Sequence, residues 1–125
     1  MARILIVDDD PDLVEACSLV LESAGHQVAT AADVPSGRAA LAAGSVDLLV
    51  LDVMMDRPDD GFLFARELKS GGSRVPVLML TSVGKVTGLD FGRSDDLVPV
   101  DAFVEKPVEP SVLLATVARL LAAGR

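Results

Sequence analysis

The residues best suited to chemistry in this chain are carboxylates that follow directly on apolar runs. Ile4-Leu5-Ile6-Val7 passes straight into Asp8-Asp9-Asp10-Pro11-Asp12, the densest run of charge in the sequence. A second aliphatic stretch, Leu48-Leu49-Val50-Leu51, ends in Asp52. A carboxylate within a buried strand is costly to desolvate without a partner. Asp8, Asp9 and Asp52 therefore belong where their strands run out, facing a cleft. Gathered there, ionised carboxylates repel one another by kilocalories unless a proton or cation intervenes. A hard divalent cation is the economical remedy, since Mg²⁺ takes one or two carboxylates, several waters and a phosphate oxygen. Two more apolar runs end the same way, in Thr81-Ser82 and in Lys106, a hydroxyl and a compact cation. An Asp at a strand end serves equally well as a turn residue or helix cap. Repetition at four strand ends is what argues for a site.

The elements that must position these residues alternate. Short β-branched and leucine-rich runs predict strands at 3–7, 28–31, 46–52, 76–80 and 101–105, those at 3–7, 46–52 and 76–80 buried. Between them fall helical patterns. Asp12 is expected to cap a helix over 13–24 that sets Leu13, Cys17, Val20, Leu21 and Ala24 on one face and stops at Gly25. Asp33, with Pro35 close behind, opens an Ala-rich helix ending near Gly44. A third helix turns Phe62, Ala65 and Leu68 inward and closes at Gly71-Gly72. Pro110 starts the last, with Leu113, Val117, Leu120 and Leu121 on its inner face. The stretch 84–99 holds Gly84, Gly88, Gly92 and Pro99 among charges, so a regular helix is not expected there. Strand–helix alternation of this kind makes an α/β domain with a parallel sheet covered on both faces.

Composition narrows the function classes. The chain has 125 residues, one ordinary domain, of which 50% are hydrophobic and only 3% aromatic, so Val, Leu, Ala and Ile must fill the core. A net charge of −8 argues against a nucleic-acid-binding surface. The apolar start at 4–7 is too short for a membrane span or a signal peptide. With Cys17 the lone cysteine, no internal disulfide is expected and the cytosol is the expected compartment. Cys17 reads as packing, and His26, with no partner motif, as a surface residue.

Taken in order, Ile4 to Asp9, Leu51-Asp52 with Met55 and the later Asp60-Gly61, Leu80-Thr81-Ser82, and Phe103-Val104-Glu105-Lys106-Pro107 resemble the receiver domain of two-component response regulators. The likeness spans residues 1–125. It implies a flavodoxin-like (βα)5 three-layer sandwich with strand order 2-1-3-4-5 and, here, an atypical fourth helix. It also implies that Asp52 accepts a phosphoryl group from the phosphohistidine of a sensor histidine kinase or histidine phosphotransfer protein. By the same likeness, Asp9 would bind Mg²⁺ directly, Asp8 would orient a metal-bound water, and Met54 would lend the metal its backbone carbonyl. Lys106 would pair with a phosphoryl oxygen, Thr81 would bond another through its hydroxyl, and Phe103 would be the switch aromatic. Such a domain phosphorylates itself and loses the group slowly, and is not a conventional turnover enzyme. Its output would be a surface that binds a downstream protein, with no direct nucleic-acid contact and no membrane insertion.

Departures from the family pattern are specific. Asp56 stands where a proline is usual, Gly61 falls one position late, and Phe103 lacks the hydroxyl of the more common tyrosine. Met54 and Val83 occupy the positions that hold a hydrolytic water in short-lived receivers, which predicts a long-lived aspartyl-phosphate. Three rival readings are a pseudo-receiver that is never phosphorylated, an aspartyl phosphatase and a flavin-binding module. The full Asp8-Asp9, Asp52, Thr81 and Lys106 set opposes the first. The phosphatase lacks a general acid at Met54, and the acidic 8–12 loop would repel a flavin phosphate.

Overall fold

The five apolar runs form one five-stranded sheet in the computed structural model, which describes residues 2–44, 46–52, 60–71, 75–82, 101–106 and 108–123, with the backbone alone at 60–62, 69, 81–82, 106 and 123. The chain order is β1 (Arg3–Val7), α1 (Pro11–Ser23), β2 (Gln27–Ala31), α2 (Val34–Ala43), β3 (Leu48–Asp52), α3 (Asp60–Ser70), β4 (Val77–Ser82), β5 (Ala102–Lys106) and α4 (Pro110–Ala123). Strands run in the order β2-β1-β3-β4-β5, and every pairing is parallel. This is the flavodoxin-like order that the family resemblance implies, and the parallel sheet expected from the alternation. The 84–99 stretch lies outside the described residues, as do Met54, Met55, Asp56 and Val83.

Successive side chains of a strand point to opposite faces, and the core divides accordingly. Ile4, Ile6, Leu48, Val50, Leu78 and Leu80 meet Cys17 and Leu21 of α1 and Leu113, Val117 and Leu120 of α4. Leu5, Val7, Leu49, Leu51, Val77 and Met79 meet Phe64 and Ala65 of α3, with Val34, Ala40 and Leu41 of α2 alongside. All five residues of β3 are buried, as befits the central strand of a sheet covered on both sides. Cys17 is a core residue, as its place on the apolar face of α1 required. Among the described residues no helix is long and apolar enough to cross a membrane.

Helix ends follow local chemistry, with one correction. The cap of α1 is Asp10, not Asp12: its carboxylate accepts the N–H groups of Asp12 and Leu13 at 3.0 and 3.3 Å. Pro11 then takes the first helical position, where its fixed φ fits and its missing N–H costs nothing. At the other end Gly25 adopts φ +93°. Its N–H donates to Glu22 O and that of His26 to Leu21 O, at 3.0 and 3.2 Å. This paired closure needs a left-handed residue, which glycine supplies without steric cost. Asp33 caps α2 by accepting from Ser36 N at 2.8 Å, as expected.

Two further expectations change. His26 is half-buried and has a partner, its Nδ1 accepting the Ala2 N–H at 3.2 Å. In α3 Ala65 is buried and Leu68 half-buried, as expected, with Phe64 also buried at 2% exposure; the Phe62 side chain lies outside the described residues. The last two strands also run one or two residues further than the apolar pattern indicates, so that Thr81, Ser82 and Lys106 belong to them.

Candidate functional site

Register decides what comes together. Val7 pairs with Leu51 across β1 and β3. The next residue on each strand is a carboxylate, so Asp8 and Asp52 stand side by side at the C-terminal edge of the sheet. Asp52 in turn pairs with Leu80, Thr81 with Glu105, and Ser82 with Lys106. Thus Asp8, Asp52, Thr81 and Lys106 occupy the ends of four strands that are direct neighbours in the sheet, β1, β3, β4 and β5. Their placement on one edge, where ligands bind in open parallel sheets, matches the pattern read from sequence.

At the centre of this edge are Asp8, Asp9 and Asp52. One carboxylate oxygen from each lies within 4.8 Å of the other two. Asp8 is 2% exposed and Asp52 5% exposed, whereas Asp9 opens to solvent. Each ionised pair at this range repels by about 3 kcal/mol for an effective dielectric near 20. The donor set suits a small hard cation: all ligands are oxygens, two are sheltered, and one faces water. Oxygens on neighbouring positions around Mg²⁺ lie about 3 Å apart and opposite ones about 4 Å, so a small inward adjustment of these side chains accommodates the ion. Its charge would offset the repulsion that otherwise opposes burying two carboxylates.

The acidic run 8–12 divides into separate tasks. Asp8 N–H donates to Ala31 O at 3.0 Å, tying the end of β1 to β2. Asp8 Oδ1 accepts the Asp10 N–H at 2.9 Å, which turns the chain towards α1. Asp10 then spends its own carboxylate on the α1 cap. Asp12, in the first turn, stands where negative charge favours the helix dipole. Only Asp8 and Asp9 of this run join Asp52. Asp10 was missed as the cap in the sequence reading, although the following Pro11 marks the start of the helix there.

Phe103, in β5, is half-buried and packs on the core face that also holds Met79, its partner in β4. Of the remaining expected site residues, Met54 lies outside the described residues, while Thr81 and Lys106 are placed by backbone and register alone. Three carboxylates are thus assembled, with two strand-end positions aligned beside them.

Comparison with known proteins agrees with this geometry. The family model described as response regulator receiver domain matches residues 4–118. The DNA-binding dual master transcriptional regulator RpaA of Synechocystis is 37% identical, over 97% of this chain and 49% of that protein. Response regulator MprA of Mycobacterium avium is 41% identical, over 95% of this chain and 50% of that protein. The chain therefore spans about half the length of the curated relatives it matches. Among solved structures, the chemotaxis response regulator CheY4 of Vibrio cholerae superposes with a TM-score of 0.82 at 30% identity, covering 96% of this chain and 98% of that one. A parallel 2-1-3-4-5 sheet with acids on its C-terminal edge, matched by sequence along nearly its whole length, makes this chain a member of the response regulator receiver domain family.

Proposed function

We propose that this domain is the phosphoacceptor of a two-component or phosphorelay system, with Asp52 as the residue that takes the phosphoryl group. The observation that carries this reading is the convergence of Asp8, Asp9 and Asp52 within 4.8 Å at the sheet edge. Phosphoryl transfer passes through a loose transition state in which positioning and charge neutralisation do most of the work. An Asp52 oxygen forms its bond to phosphorus as the P–N bond to a donor imidazole breaks, the electron pair leaving with the imidazole. Asp9 would hold Mg²⁺ directly, Asp8 would orient a water on it, and the Met54 carbonyl would be a further ligand. Bound there, Mg²⁺ supplies positive charge to the phosphoryl oxygens. Lys106 adds a second positive charge as a compact ammonium, and the Thr81 hydroxyl bonds a remaining oxygen.

The donor in this reading is the phosphohistidine of a sensor kinase or phosphotransfer protein. The signal is a shift between two states of the domain, the phosphorylated one favoured by the bonds to Thr81 and Lys106. Given the acidic surface, the partner that reads the shift is a protein, not a nucleic acid.

The test is incubation with acetyl phosphate and Mg²⁺ followed by intact mass. Wild type gains one phosphoryl group; omission of Mg²⁺ or Asp52→Asn abolishes the gain, while Asp56→Asn and Asp59→Asn retain it. Undiminished labelling of Asp52→Asn would falsify the assignment, and an unlabelled wild type would make the domain a constitutive interaction module.

A further inference from the structure

Gly37 is buried in α2 and stands against Val7, the last residue of β1. A methyl group at position 37 would meet Val7 Cγ2 at 2.8 Å, Val7 Cγ1 at 3.4 Å and Phe64 Cε2 at 3.5 Å. The first distance is well inside the optimal carbon–carbon separation of about 3.5–4.0 Å, so something must move. Val7 yields poorly, because it is fully buried and branched at Cβ, which restricts χ1. Nor does α2 back away without cost. Arg38, the next residue, forms a bidentate pair with Glu67 of α3, at 2.8 and 2.9 Å, and its guanidinium lies 5.6 Å from the centre of the Phe64 ring.

Val7 is the layer directly beneath the carboxylates. It pairs with Ala31 on one side and Leu51 on the other. Asp8 follows it, with its N–H held by Ala31 O at 3.0 Å, and Asp52 follows Leu51. A displacement of Val7 is therefore a displacement of Asp8 and Asp9 relative to Asp52. We propose that Gly37 is a positioning residue for the carboxylate site. Its missing side chain seats α2 at the height at which Val7 keeps Asp8 and Asp9 level with Asp52. This inference rests on the reading of those three acids as the Mg²⁺ and phosphoryl site. It reaches past that reading to a residue on the opposite face of the sheet from the one that holds Ile6 and Val50.

A merely structural glycine behaves differently. In a helix interior, Gly→Ala ordinarily stabilises, and it leaves a distant site unchanged. The experiment measures the Mg²⁺ dissociation constant of the unphosphorylated chain by calorimetric titration, and the labelling rate with acetyl phosphate at saturating Mg²⁺. Gly37→Ala is expected to weaken Mg²⁺ binding roughly tenfold, in the range found when supporting residues around a metal are altered, and to slow labelling. Val7→Ala/Gly37→Ala, which removes the overlap, is expected to recover most of the affinity. Wild-type affinity in Gly37→Ala, or no recovery in the double variant, overturns the proposal. Should Gly37→Ala fail to fold, Val7→Ile presses on the same contact from the other side with the same expected loss, and unchanged affinity there overturns it equally. A wild-type chain that neither binds Mg²⁺ nor takes label defeats the reading of the site itself, a result distinct from normal wild-type behaviour with an indifferent Gly37→Ala.

Discussion

Val7 and Leu51 face each other across β1 and β3, and that one pairing sets two buried carboxylates, Asp8 and Asp52, side by side. The period of a strand is two residues, so a slip of one would turn every core side chain of β1 to the wrong face. Both faces of β1 are buried and apolar, so it is the fit of each side chain to its own layer that opposes the slip, Ile4 and Ile6 packing with α1 and α4 and Leu5 and Val7 with α2 and α3. Packing thus holds the carboxylates in register without any direct bond between them being needed.

The division of labour within the acidic run is open to direct measurement. Asp9→Asn is expected to weaken Mg²⁺ binding and, in the Mg²⁺-free chain, to raise the thermal midpoint, because it removes a charge that repels Asp8 and Asp52. Asp10→Ala is expected to do the reverse, costing about 1 kcal/mol of stability through the lost cap on α1 while leaving Mg²⁺ affinity near wild type. The bond from Asp10 N–H to Asp8 Oδ1 survives that change, because it uses the backbone. Thermal unfolding and Mg²⁺ titration of the two variants, side by side, decide the matter.

Lys106 and Thr81 are expected to affect different steps. Lys106→Ala removes positive charge from the reacting phosphoryl group, so transfer slows or the phosphorylated state fails to form its signalling surface. Thr81→Ala leaves labelling in place and blunts the conformational response, visible as smaller amide shift changes on phosphorylation. Identical, wild-type behaviour of both would remove the two residues from the site.

The lone histidine gives the chain a pH dependence. Partial burial, and secondarily the positive charge of the nearby amino terminus, lower the pKa of His26 below its usual 6.5. Protonation would also remove the Nδ1 acceptor that holds Ala2 N–H. In the window from 6.5 down to the folded-state value, the unfolded chain binds more protons than the folded one. Stability is therefore highest above that window and falls as pH drops through it. Melting curves from pH 8 to pH 5 should show this loss, and His26→Gln should flatten its share of it; the same slope in both proteins would contradict the assignment.

The phosphorylated form is expected to persist. Hydrolysis needs a water held in line with the Asp52–phosphorus bond, and the Met54 and Val83 side chains offer no useful donor or acceptor for it. Polar residues there are expected to speed decay by roughly 10–100-fold, or about 1.4–2.8 kcal/mol of barrier. The check is decay of the phosphorylated mass after donor removal, in wild type and in Met54→Asn/Val83→Glu. Rapid wild-type decay, or an unmoved double variant, counts against this mechanism.

Much of this molecule was legible in short windows of sequence. An apolar run followed by a carboxylate identifies both a strand and its exit, so Asp8, Asp9 and Asp52 could be placed at one edge before any contact was known. Gly25 closed α1 and Asp33 opened α2 for equally local reasons. What tertiary structure alone decided is pairwise. Asp47 N–H donates to Arg3 O at 2.8 Å while Asp47 Oδ2 accepts Arg3 N–H at 2.9 Å, clasping the starts of β1 and β3. Asp101 makes the same double bond to Val77 at 2.9 and 2.8 Å, between β5 and β4. That each aspartate stands at the start of a strand is legible in sequence, but the neighbouring strand it binds is not. The Ala2 bond to His26, the buried Phe64 and the press of Gly37 on Val7 are of the same kind. A strand's end is written in the polarity of neighbouring residues, but a side chain's partner depends on which distant segment the register and the helix seats bring opposite it.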